Sequence, residues 1–345
     1  MMANIKQIAL AAGVSITTVS RVLNGHPYVS EDKRSAVWKA IEQLQYKPNR
    51  NAVNLAKGET RMVAVLLPFA NHPYFAGMLE GISYFALQHH YHIVLCQTDY
   101  KPEEEIRALE LLRDKQVDGV IICSKQTNWS TIEPYAAYGP IVVCEYTESS
   151  VLSSIYVDYY EITRYIMNML IDKGHRHIGY TIGRPDSFNS LNRIRAYEEA
   201  LQEIQVPLVP EWTFSNCYQY DHGEEVIRAI SNMHTRPTAL VVAGDQSAAG
   251  ILLGAAKLGI KVPEQLSVIG FDNIPIARVL ELSTFDHSSY DIGCLAFTIF
   301  YRQLHADVPR TEKHKLPYHF IERMTVGQAP ASFTALSNTK TPAQK

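Results

Sequence analysis

The first sixty residues constrain this chain most strongly, because they combine short helical patterns with a positive charge that the rest of the chain lacks. Residues 1–61 contain nine basic and four acidic residues, whereas residues 62–345 contain 23 basic and 31 acidic residues. The two segments therefore carry formal charges of +5 and −8. Because only the N-terminal segment attracts phosphate groups, the sequence predicts that this end binds a polyanion.

Three short helices are predicted within this segment. Asn4 can cap a first helix that stops at Gly13, and Ser15 can cap a second helix after the turn. A third helix begins at Ser30. The inward-facing positions of the second and third helices are Val19, Val22, Leu23, Val37, Ile41 and Leu44. Two short helices across a glycine turn are typical of a helix-turn-helix; a helical subdomain without DNA contacts is the alternative.

The second helix of a helix-turn-helix enters the major groove of DNA, where its N-terminal residues contact base edges. This geometry assigns base contacts to Ile16, Thr17 and Arg21. Arginine can pair with guanine through two hydrogen bonds, threonine can bond a base or touch a thymine methyl, and isoleucine offers apolar contact. The polar side chains better placed for phosphates are Thr18, Ser20 and Asn24.

A short polar helix is predicted after Pro48, from the capping residue Asn49 to the residues before Gly58. Its length is below that of helices stable alone in water, so we expect it to become ordered on DNA. Leu55 is an apolar side chain on this linker. It can wedge between base pairs in the minor groove and kink the duplex, or it can pack on the body of the protein.

A long ordered series of motifs runs through residues 5–55. It consists of Ile5-Lys6-Gln7-Ile8-Ala9, Ala12-Gly13-Val14-Ser15, Thr18-Val19-Ser20-Arg21-Val22-Leu23-Asn24, Val29-Ser30 and Tyr46-x-Pro48-Asn49-x-x-Ala52-x-x-Leu55. This series resembles the LacI/GalR family of bacterial transcription regulators, and the likeness continues to about residue 327. The resemblance implies a homodimer on a palindromic operator in double-stranded DNA. Paired hinge helices, with Asn49 and Ala52 among their DNA contacts, would insert Leu55 into the minor groove.

The pattern changes after Thr60 to apolar runs that alternate with helical periodicity. Strands are predicted at Met62 to Leu67, His92 to Gln97, Val117 to Cys123, Ile141 to Cys144, His177 to Ile182, Ala239 to Ala243 and Ser267 to Phe271. Helices are predicted at Tyr74 to Gln88, Pro102 to Lys115, Tyr159 to Lys173, Leu191 to Ile204, Gly223 to Met233 and Asp245 to Leu258. This alternation predicts an α/β fold of parallel sheets with helices on both faces.

The strands and helices form two series, before and after about residue 160, and so predict two lobes. Ligands of open α/β sheets bind at the carboxyl ends of strands, which places a small-molecule effector in the cleft between the lobes. The family resemblance implies a periplasmic-binding-protein-like effector domain. In such a domain the chain crosses between the lobes three times, and the segment from about Tyr290 returns to the first lobe.

The predicted organisation therefore has four parts. These are a helix-turn-helix head at 1–47, a hinge helix and linker at 48–61, a two-lobed effector-binding and dimerisation domain at 62–327, and a loose polar tail at 328–345.

Four effector-binding candidates follow from loop position together with the family's motifs. Tyr74 and Phe75 lie in a turn that resembles the N-P-x-F motif, where their rings can stack on a sugar or a base; packing in the core is the alternative. Arg193 matches the arginine of the R-x-x-G-[aromatic] motif, although Ala196 replaces its glycine. Asp272 matches the G-[YF]-D motif and can accept two hydrogen bonds from hydroxyls of a ligand. Alternatively, Arg193 and Asp272 can form a structural ion pair with each other.

Three further residues are weaker candidates. Tyr218 can form an aromatic wall, and Asp158 and Asp245 follow strands at positions that resemble family aspartates, although both can simply cap the next helix. Farther on, His287-Ser288 stand where the family commonly has Gln-Pro, so the lobe crossing is expected to differ there.

Several other functions lose support from the sequence. No signal peptide or apolar run of about 18 residues is present, which predicts a cytoplasmic protein without membrane contact. Five separated cysteines predict buried thiols rather than disulfides. The phosphate-binding and nucleophile motifs of common enzymes are absent, and no cofactor is expected. A zinc site at His89-His90-x-His92 or His175-x-His177 is less favoured than solvated loop histidines.

These observations favour a DNA-binding transcriptional regulator, a repressor controlled by a sugar or sugar derivative. A pure small-molecule binding protein and a metabolic α/β enzyme are the alternatives; the former class is exported, and the latter has only the two-lobed architecture in its favour.

Overall fold

The computed structural model describes residues 4–23, 25–46 and 58–331, and it divides into two units, Met1–Thr60 and Arg61–Lys345. The helices are α1 Ile5–Ala12, α2 Ile16–Leu23, α3 Glu31–Gln43, α4 Pro73–Gln88, α5 Pro102–Arg113, α6 Trp129–Ile132, α7 Tyr159–Asp172, α8 Phe188–Glu203, α9 Tyr220–Ser231, α10 Asp245–Lys257, α11 Pro275–Val279 and α12 Ser289–Leu304. None of the helices in these ranges is long and apolar enough to cross a membrane.

Three helices lie in the described part of the first unit, as the sequence predicts. Asn4 and Gln7 form a capping box at the start of α1, and Gly13 ends it with a left-handed φ of 63°. The Ser15 hydroxyl accepts the backbone N–H of Thr18 at 3.1 Å and so caps α2. The buried side chains are Ile8, Ala9, Val19, Val22, Val37 and Ala40. The predicted core position of Leu44 is wrong, because α3 ends at Gln43 and Leu44 is exposed at its C-cap.

Two parallel sheets build the second unit. The strands are β1 Met62–Leu67, β2 His92–Gln97, β3 Gly119–Ile122, β4 Ile141–Val143, β5 Ser153–Tyr156, β6 Ile178–Thr181, β7 Thr213–Phe214, β8 Ala239–Val241, β9 Ser267–Ile269, β10 Thr284–Asp286, β11 Lys313–Lys315 and β12 His319–Ile321. The first lobe has strand order β11-β5-β4-β3-β1-β2, and the second has β7-β6-β8-β9. Every pairing within these two sheets is parallel, which confirms the predicted α/β class.

The chain crosses between the lobes three times, as the family resemblance implies. It leaves the first sheet after β5 and leaves the second lobe after β10. Helix α12 then packs on α4, and β11 joins the edge of the first sheet. Finally, β12 pairs antiparallel with β10, and Val268 of β9 donates its N–H to the carbonyl of Thr325. One hydrophobic cluster runs through both lobes at these crossings.

The start of α8 differs from the prediction in a way that matters for the site. The apolar periodicity predicts a start at Leu191, but the Ser187 hydroxyl accepts the N–H of Ser190 at 3.1 Å and starts the helix at Phe188. The extra turn carries Asn189 and Ser190 to the edge of the cleft between the lobes. A cap of this kind competes well with hydrophobic periodicity in deciding where a helix begins.

Helices α4 and α12 lie close enough for their backbones to touch. A Cβ atom on Gly293 would lie 2.0 Å from the carbonyl oxygen of Met78, and one on Gly81 would lie 2.1 Å from that of Tyr290. Both distances are far below any real carbon–oxygen contact, so glycine is required at this crossing. The close packing of α12 on α4 therefore requires that Gly81 and Gly293 have no side chain.

We expect Gly293→Ala to lower the free energy of unfolding by about 1–3 kcal/mol, because overpacking outweighs the helix propensity that alanine gains. Gly77→Ala is the matched control, since its new methyl would meet mainly the short side chain of Ser289, which can rotate away. Urea denaturation of the full chain measures both changes. Equal midpoints for the two variants would contradict the backbone contact.

Candidate DNA-reading face and effector cavity

Helix α2 turns one face into the core and the other to solvent. Val19 and Val22 are buried, whereas Ile16, Thr17 and Arg21 are exposed. An exposed arginine and threonine beside an apolar side chain provide the donors and the methyl contacts that base edges in the major groove recognise. The structure thus brings the three predicted base-reading residues together on one accessible face.

The residues predicted to bind phosphate have a mixed placement. The hydroxyl of Thr18 lies 2.9 Å from that of Ser15, so it contributes to the helix cap while remaining half-buried. Ser20 is also half-buried. Four predicted DNA contacts lie outside the described residues: Asn24, Asn49, Ala52 and Leu55.

A cavity of about 140 Å³ lies between the two lobes of the second unit. Five of the seven predicted effector residues line it: Tyr74, Phe75, Arg193, Tyr218 and Asp272. Two of them lie in α4, one in α8, one in the loop after β7 and one in the loop after β9. These elements meet because the carboxyl ends of both sheets face the cleft.

The guanidinium of Arg193 contacts two aromatic rings, Phe271 and Tyr159, which also stack on each other. Its guanidinium carbon lies 3.7 Å from the ring centre of Phe271 and 4.4 Å from that of Tyr159. Nη1 donates to the carbonyl of Ala243 at 2.9 Å, while the buried Nε has no hydrogen-bond partner. An arginine fixed in this way keeps donors available for a ligand without needing a carboxylate to hold it. Ala196 lies buried within α8, so its replacement of glycine leaves the helix continuous.

Asp272 lies beside the buried ring of His287. The distance from Asp272 Oδ1 to His287 Nε2 is 3.6 Å, which is too long for a hydrogen bond, and both ring nitrogens of His287 lack partners. No ion pair joins Asp272 to Arg193 within the described chain, so the structural pairing is absent. The carboxylate is therefore available to accept hydrogen bonds from a ligand.

The aromatic candidates form two walls. Burial and the hydrogen-bonded hydroxyl of Tyr159 raise the pKa of Tyr74, and Phe75 lines the cavity while also packing in the hydrophobic core. On the opposite side, burial raises the pKa of Tyr218 to about 12. A Cβ atom on Gly183 would lie 2.8 Å from the ring of Tyr218, so glycine is needed for this ring to approach the cavity.

Asp158, predicted to contact the effector, does not line this cavity, although it lines a neighbouring one. Its carboxylate accepts the N–H of Glu161 at 3.1 Å and pairs with Lys315 Nζ at 3.0 Å. Asp158 therefore caps the next helix, which is the alternative that the sequence left open.

Asp245 is also outside the cavity lining, because it is completely buried beneath the loop that carries Asp272. It accepts hydrogen bonds from the N–H groups of Phe271 (2.8 Å) and Ile274 (3.0 Å) and from the hydroxyl of Thr284 (2.6 Å). Burial, with the nearby charge of Asp272, raises the pKa of Asp245 to about 6. It positions the loop and does not cap α10, whose N-cap is Gly244.

Arg184 is a cavity residue that the sequence reasoning missed. It follows β6 in the second lobe, yet Nη1 donates to the Lys125 carbonyl at 2.5 Å and to Gln126 Oε1 at 2.8 Å in the first lobe. Its guanidinium carbon also lies 4.0 Å from the ring centre of Tyr100. The available signal was its position in the loop after a strand, where Asp272 also lies.

Glu145 was missed as well, and it completes this contact across the cleft. Its Oε1 accepts the Ser124 hydroxyl at 2.5 Å and lies 3.8 Å from Arg184 Nη2. Gln126 Nε2 also donates to Asp186 Oδ2 at 2.9 Å. We call Arg184, Glu145, Ser124, Gln126 and Asp186 the cleft bridge. The two lobes are thus joined by side chains at one end of the cavity.

Ser288, which stands in the place of the family's proline, has a backbone conformation that proline cannot adopt. The φ of Ser288 is 43°, and its hydroxyl accepts the N–H of Asp291 at the start of α12. The serine thus supplies both a conformation and a helix cap that proline could not provide.

One histidine prediction is wrong. His175 is completely buried, and its ring bonds Thr238, Ser267 and the carbonyl of Gly327, so it is not a solvated loop residue. No group of metal-ligating side chains occurs in the part of the chain that the structure describes. The five cysteines are free thiols, of which Cys123, Cys144 and Cys217 are buried.

We expect Asp245→Ala to destabilise the full chain by about 2–4 kcal/mol, because it leaves several buried donors without an acceptor. Asp158→Ala removes one exposed helix cap and is expected to cost about 1 kcal/mol. Urea denaturation compares the two. A smaller loss for Asp245→Ala than for Asp158→Ala would refute its role in holding the loop.

Comparisons with known proteins agree with this geometry. A model of bacterial regulatory proteins of the lacI family matches residues 4–49, and a model of periplasmic binding proteins and the sugar-binding domain of the LacI family matches residues 60–324. The HTH-type transcriptional regulator YkvZ of Bacillus subtilis is 39% identical over 325 residues, covering 94% of this chain and 100% of that protein. The NTD biosynthesis operon regulator NtdR of Bacillus subtilis is 39% identical over 295 residues, covering 85% and 90%.

Solved structures show the same architecture. The transcription regulator CcpA of Lactococcus lactis has a TM-score of 0.68 at 25% identity, with 77% of this chain and 98% of that chain covered. A LacI family transcriptional regulator from Lactobacillus casei with bound glucose has a TM-score of 0.71 at 23% identity, with 76% and 99% covered. At 23% identity, the second likeness shows the fold alone.

Proposed function

Because the chain belongs to the LacI family of bacterial regulatory proteins, we propose that it is a cytoplasmic repressor that binds a palindromic operator as a homodimer. We propose further that a sugar or sugar derivative in the cleft between the lobes controls this binding. The relatives reported above are transcriptional regulators, which are not enzymes. The observation that carries the proposal is the presence, in one chain, of an exposed reading helix and a ligand-sized cavity bounded by two lobes.

The chemistry of the cavity supports a polyhydroxylated ligand. Arg193 offers donors and Asp272 offers acceptors, and sugar hydroxyls act as both. The rings of Tyr74, Phe75 and Tyr218 offer apolar faces to the C–H faces of a sugar ring. The match of residues 60–324 to the model of periplasmic binding proteins and the sugar-binding domain of the LacI family makes sugars the first class to test.

An exposed apolar patch on the first lobe supports the homodimer. Three large apolar side chains are exposed there: Tyr84 and Leu87 of α4, and Leu95 of β2. Strand β2 is the edge strand of its sheet. An edge strand with large apolar side chains beside an apolar helix face is typical of an interface between subunits. We propose that two copies meet on this patch in a closed two-fold arrangement.

The proposed coupling runs through the cleft. A ligand that binds one relative position of the lobes more tightly than another shifts the population toward that position. Contacts from both lobes to the same ligand supply such a difference, because Asp272 and Arg193 belong to the second lobe and Tyr74 to the first. We propose that this shift alters the grip of the hinge helices, including Leu55, on the operator.

DNA binding is tested by selecting genomic fragments with the full chain in the presence and absence of a sugar panel. We expect a palindromic fragment to be enriched and its affinity to fall steeply with salt. Enrichment no greater than that of random competitor DNA under every condition would overturn the proposed function.

Arg21→Ala is expected to cost about 1–3 kcal/mol and to relax base preference at one position in each half-site. The matched control is Arg107→Ala, which removes an exposed arginine of the first lobe. Binding to a set of operator variants measures the preference. A uniform loss across all variants would make Arg21 a phosphate contact instead.

Arg193→Ala and Asp272→Asn are expected to abolish the effect of the sugar on operator affinity while leaving DNA binding without sugar intact. Arg228→Ala, at an exposed position on α9, is the matched control. Operator titrations with and without the sugar measure the response. A normal response from both cavity variants would show that the effector binds elsewhere.

A further inference from the structure

A second cavity, of about 420 Å³, opens beside the first. Tyr159 and Asn189 line both cavities and therefore form the wall between them. The second cavity also draws on both lobes, with Tyr146 and Glu148 from the first and Phe188 and Asn192 from the second. Its volume is larger than that of the first cavity.

The wall between the cavities is narrow and adaptable. Asn189 lies in the first turn of α8, and its amide has no hydrogen bond to any described residue. A free half-buried amide is able to rotate and to bond a ligand that passes over it. The other shared residue, Tyr159, is fixed by its hydroxyl contact with Tyr74 and by Arg193.

An aromatic platform forms the floor of the second cavity. The rings of Tyr146 and Phe188 stack with centres 5.2 Å apart and planes inclined by 20°. Tyr156 packs edge-on against Tyr146 at 5.0 Å and supports it. Phe188 nevertheless remains 51% exposed. An exposed phenylalanine held in a defined stack, with polar groups at its rim, is typical of a ligand surface rather than of a core.

Polar groups surround this platform. The carboxylate of Glu148 and the amide of Asn192 line the same cavity, and the Asn192 side chain donates to the Phe188 carbonyl at 3.1 Å. That bond occupies one donor and leaves the amide oxygen available. Donors and acceptors around an aromatic face are the arrangement that a second sugar ring requires.

The small volume of the first cavity argues that a two-ring ligand extends beyond it. Its volume of about 140 Å³ is comparable with the roughly 150 Å³ cavity that holds one benzene ring. Arg184 and the rest of the cleft bridge fill its other end. A second ring therefore has space on the side of Asn189 and Phe188.

We propose that the effector has two rings, as in a disaccharide or a glycoside, with the first ring between Arg193 and Asp272 and the second on the Tyr146–Phe188 platform. This inference rests on the proposed function, because it assumes that the cleft binds a sugar. It assigns Phe188, Tyr146 and Asn192 to effector specificity.

The test is calorimetric titration of the full chain with glucose, maltose, cellobiose, trehalose and sucrose. We expect one disaccharide to bind at least about tenfold more tightly than glucose. Phe188→Ala should remove most of that difference while changing glucose affinity less than about twofold, whereas Asp272→Asn should weaken both ligands. Phe188→Tyr should retain the preference, because it keeps the ring.

The control is Tyr138→Ala, which removes an exposed tyrosine outside both cavities and should change neither affinity. If glucose binds as tightly as every disaccharide, or if Phe188→Ala weakens glucose and disaccharide equally, the two-ring inference is overturned while the sugar effector stands. If none of the five sugars binds or alters operator affinity, the sugar effector and the two-ring inference both fall.

Discussion

The buried carboxylate of Asp245 is the constraint on which the candidate effector site depends. Its oxygens accept hydrogen bonds from the backbone N–H groups of Phe271 and Ile274 and from the hydroxyl of Thr284. The loop so fixed presents Asp272 to the cavity and places the ring of Phe271 against Arg193. Thr284 lies in β10, from which the chain crosses to the first lobe. The Asp245 carboxylate thus positions the loop that contacts Arg193, and it also holds Thr284 next to the crossing between the lobes.

The ionised carboxylate of Asp245 is unfavourable in free energy, because it is buried close to the charge of Asp272. Burial and the neighbouring charge both raise the pKa of Asp245, so its ionised form is disfavoured relative to water. The hydrogen bonds it accepts offset part of that cost. Gly270 belongs to the same arrangement, because a Cβ atom there would lie 2.0 Å from Asp245 Oδ1. The loop conformation therefore requires both residues.

Sequence patterns predicted the three helices of the head, and they predicted the bounds of strands β1 and β2 to the residue. They missed β5, whose Ser153 and Ser154 are buried through side-chain hydrogen bonds to Gln303 and the Glu145 carbonyl. They also missed β11, a strand of Lys313–Lys315 at the sheet edge. Hydrophobic periodicity does not identify strands of this kind, because tertiary hydrogen bonds rather than apolar burial stabilise them.

The site was predicted in part for a similar reason. Motifs after strands identified Arg193 and Asp272, which both line the cavity. Position after a strand could not show that Asp245 is buried beneath the loop while Asp272 faces the cavity. Burial depth depends on how the complete lobe packs. The sequence reasoning also omitted Arg184, whose hydrogen-bond partners Lys125 and Gln126 lie 59 and 58 residues away along the chain on the opposite lobe. Glu145, which was omitted too, faces Arg184 from that same lobe. Contacts between distant segments have no local signature.

The central claim is that a ligand in the cleft and DNA at the reading helix influence each other through the same protein. Thermodynamic linkage tests this most directly: operator affinity is measured with and without saturating sugar, and sugar affinity with and without saturating operator. The account predicts that both affinities change by the same factor, between about 5-fold and 150-fold. Two affinities that each remain unchanged by the other ligand would contradict it.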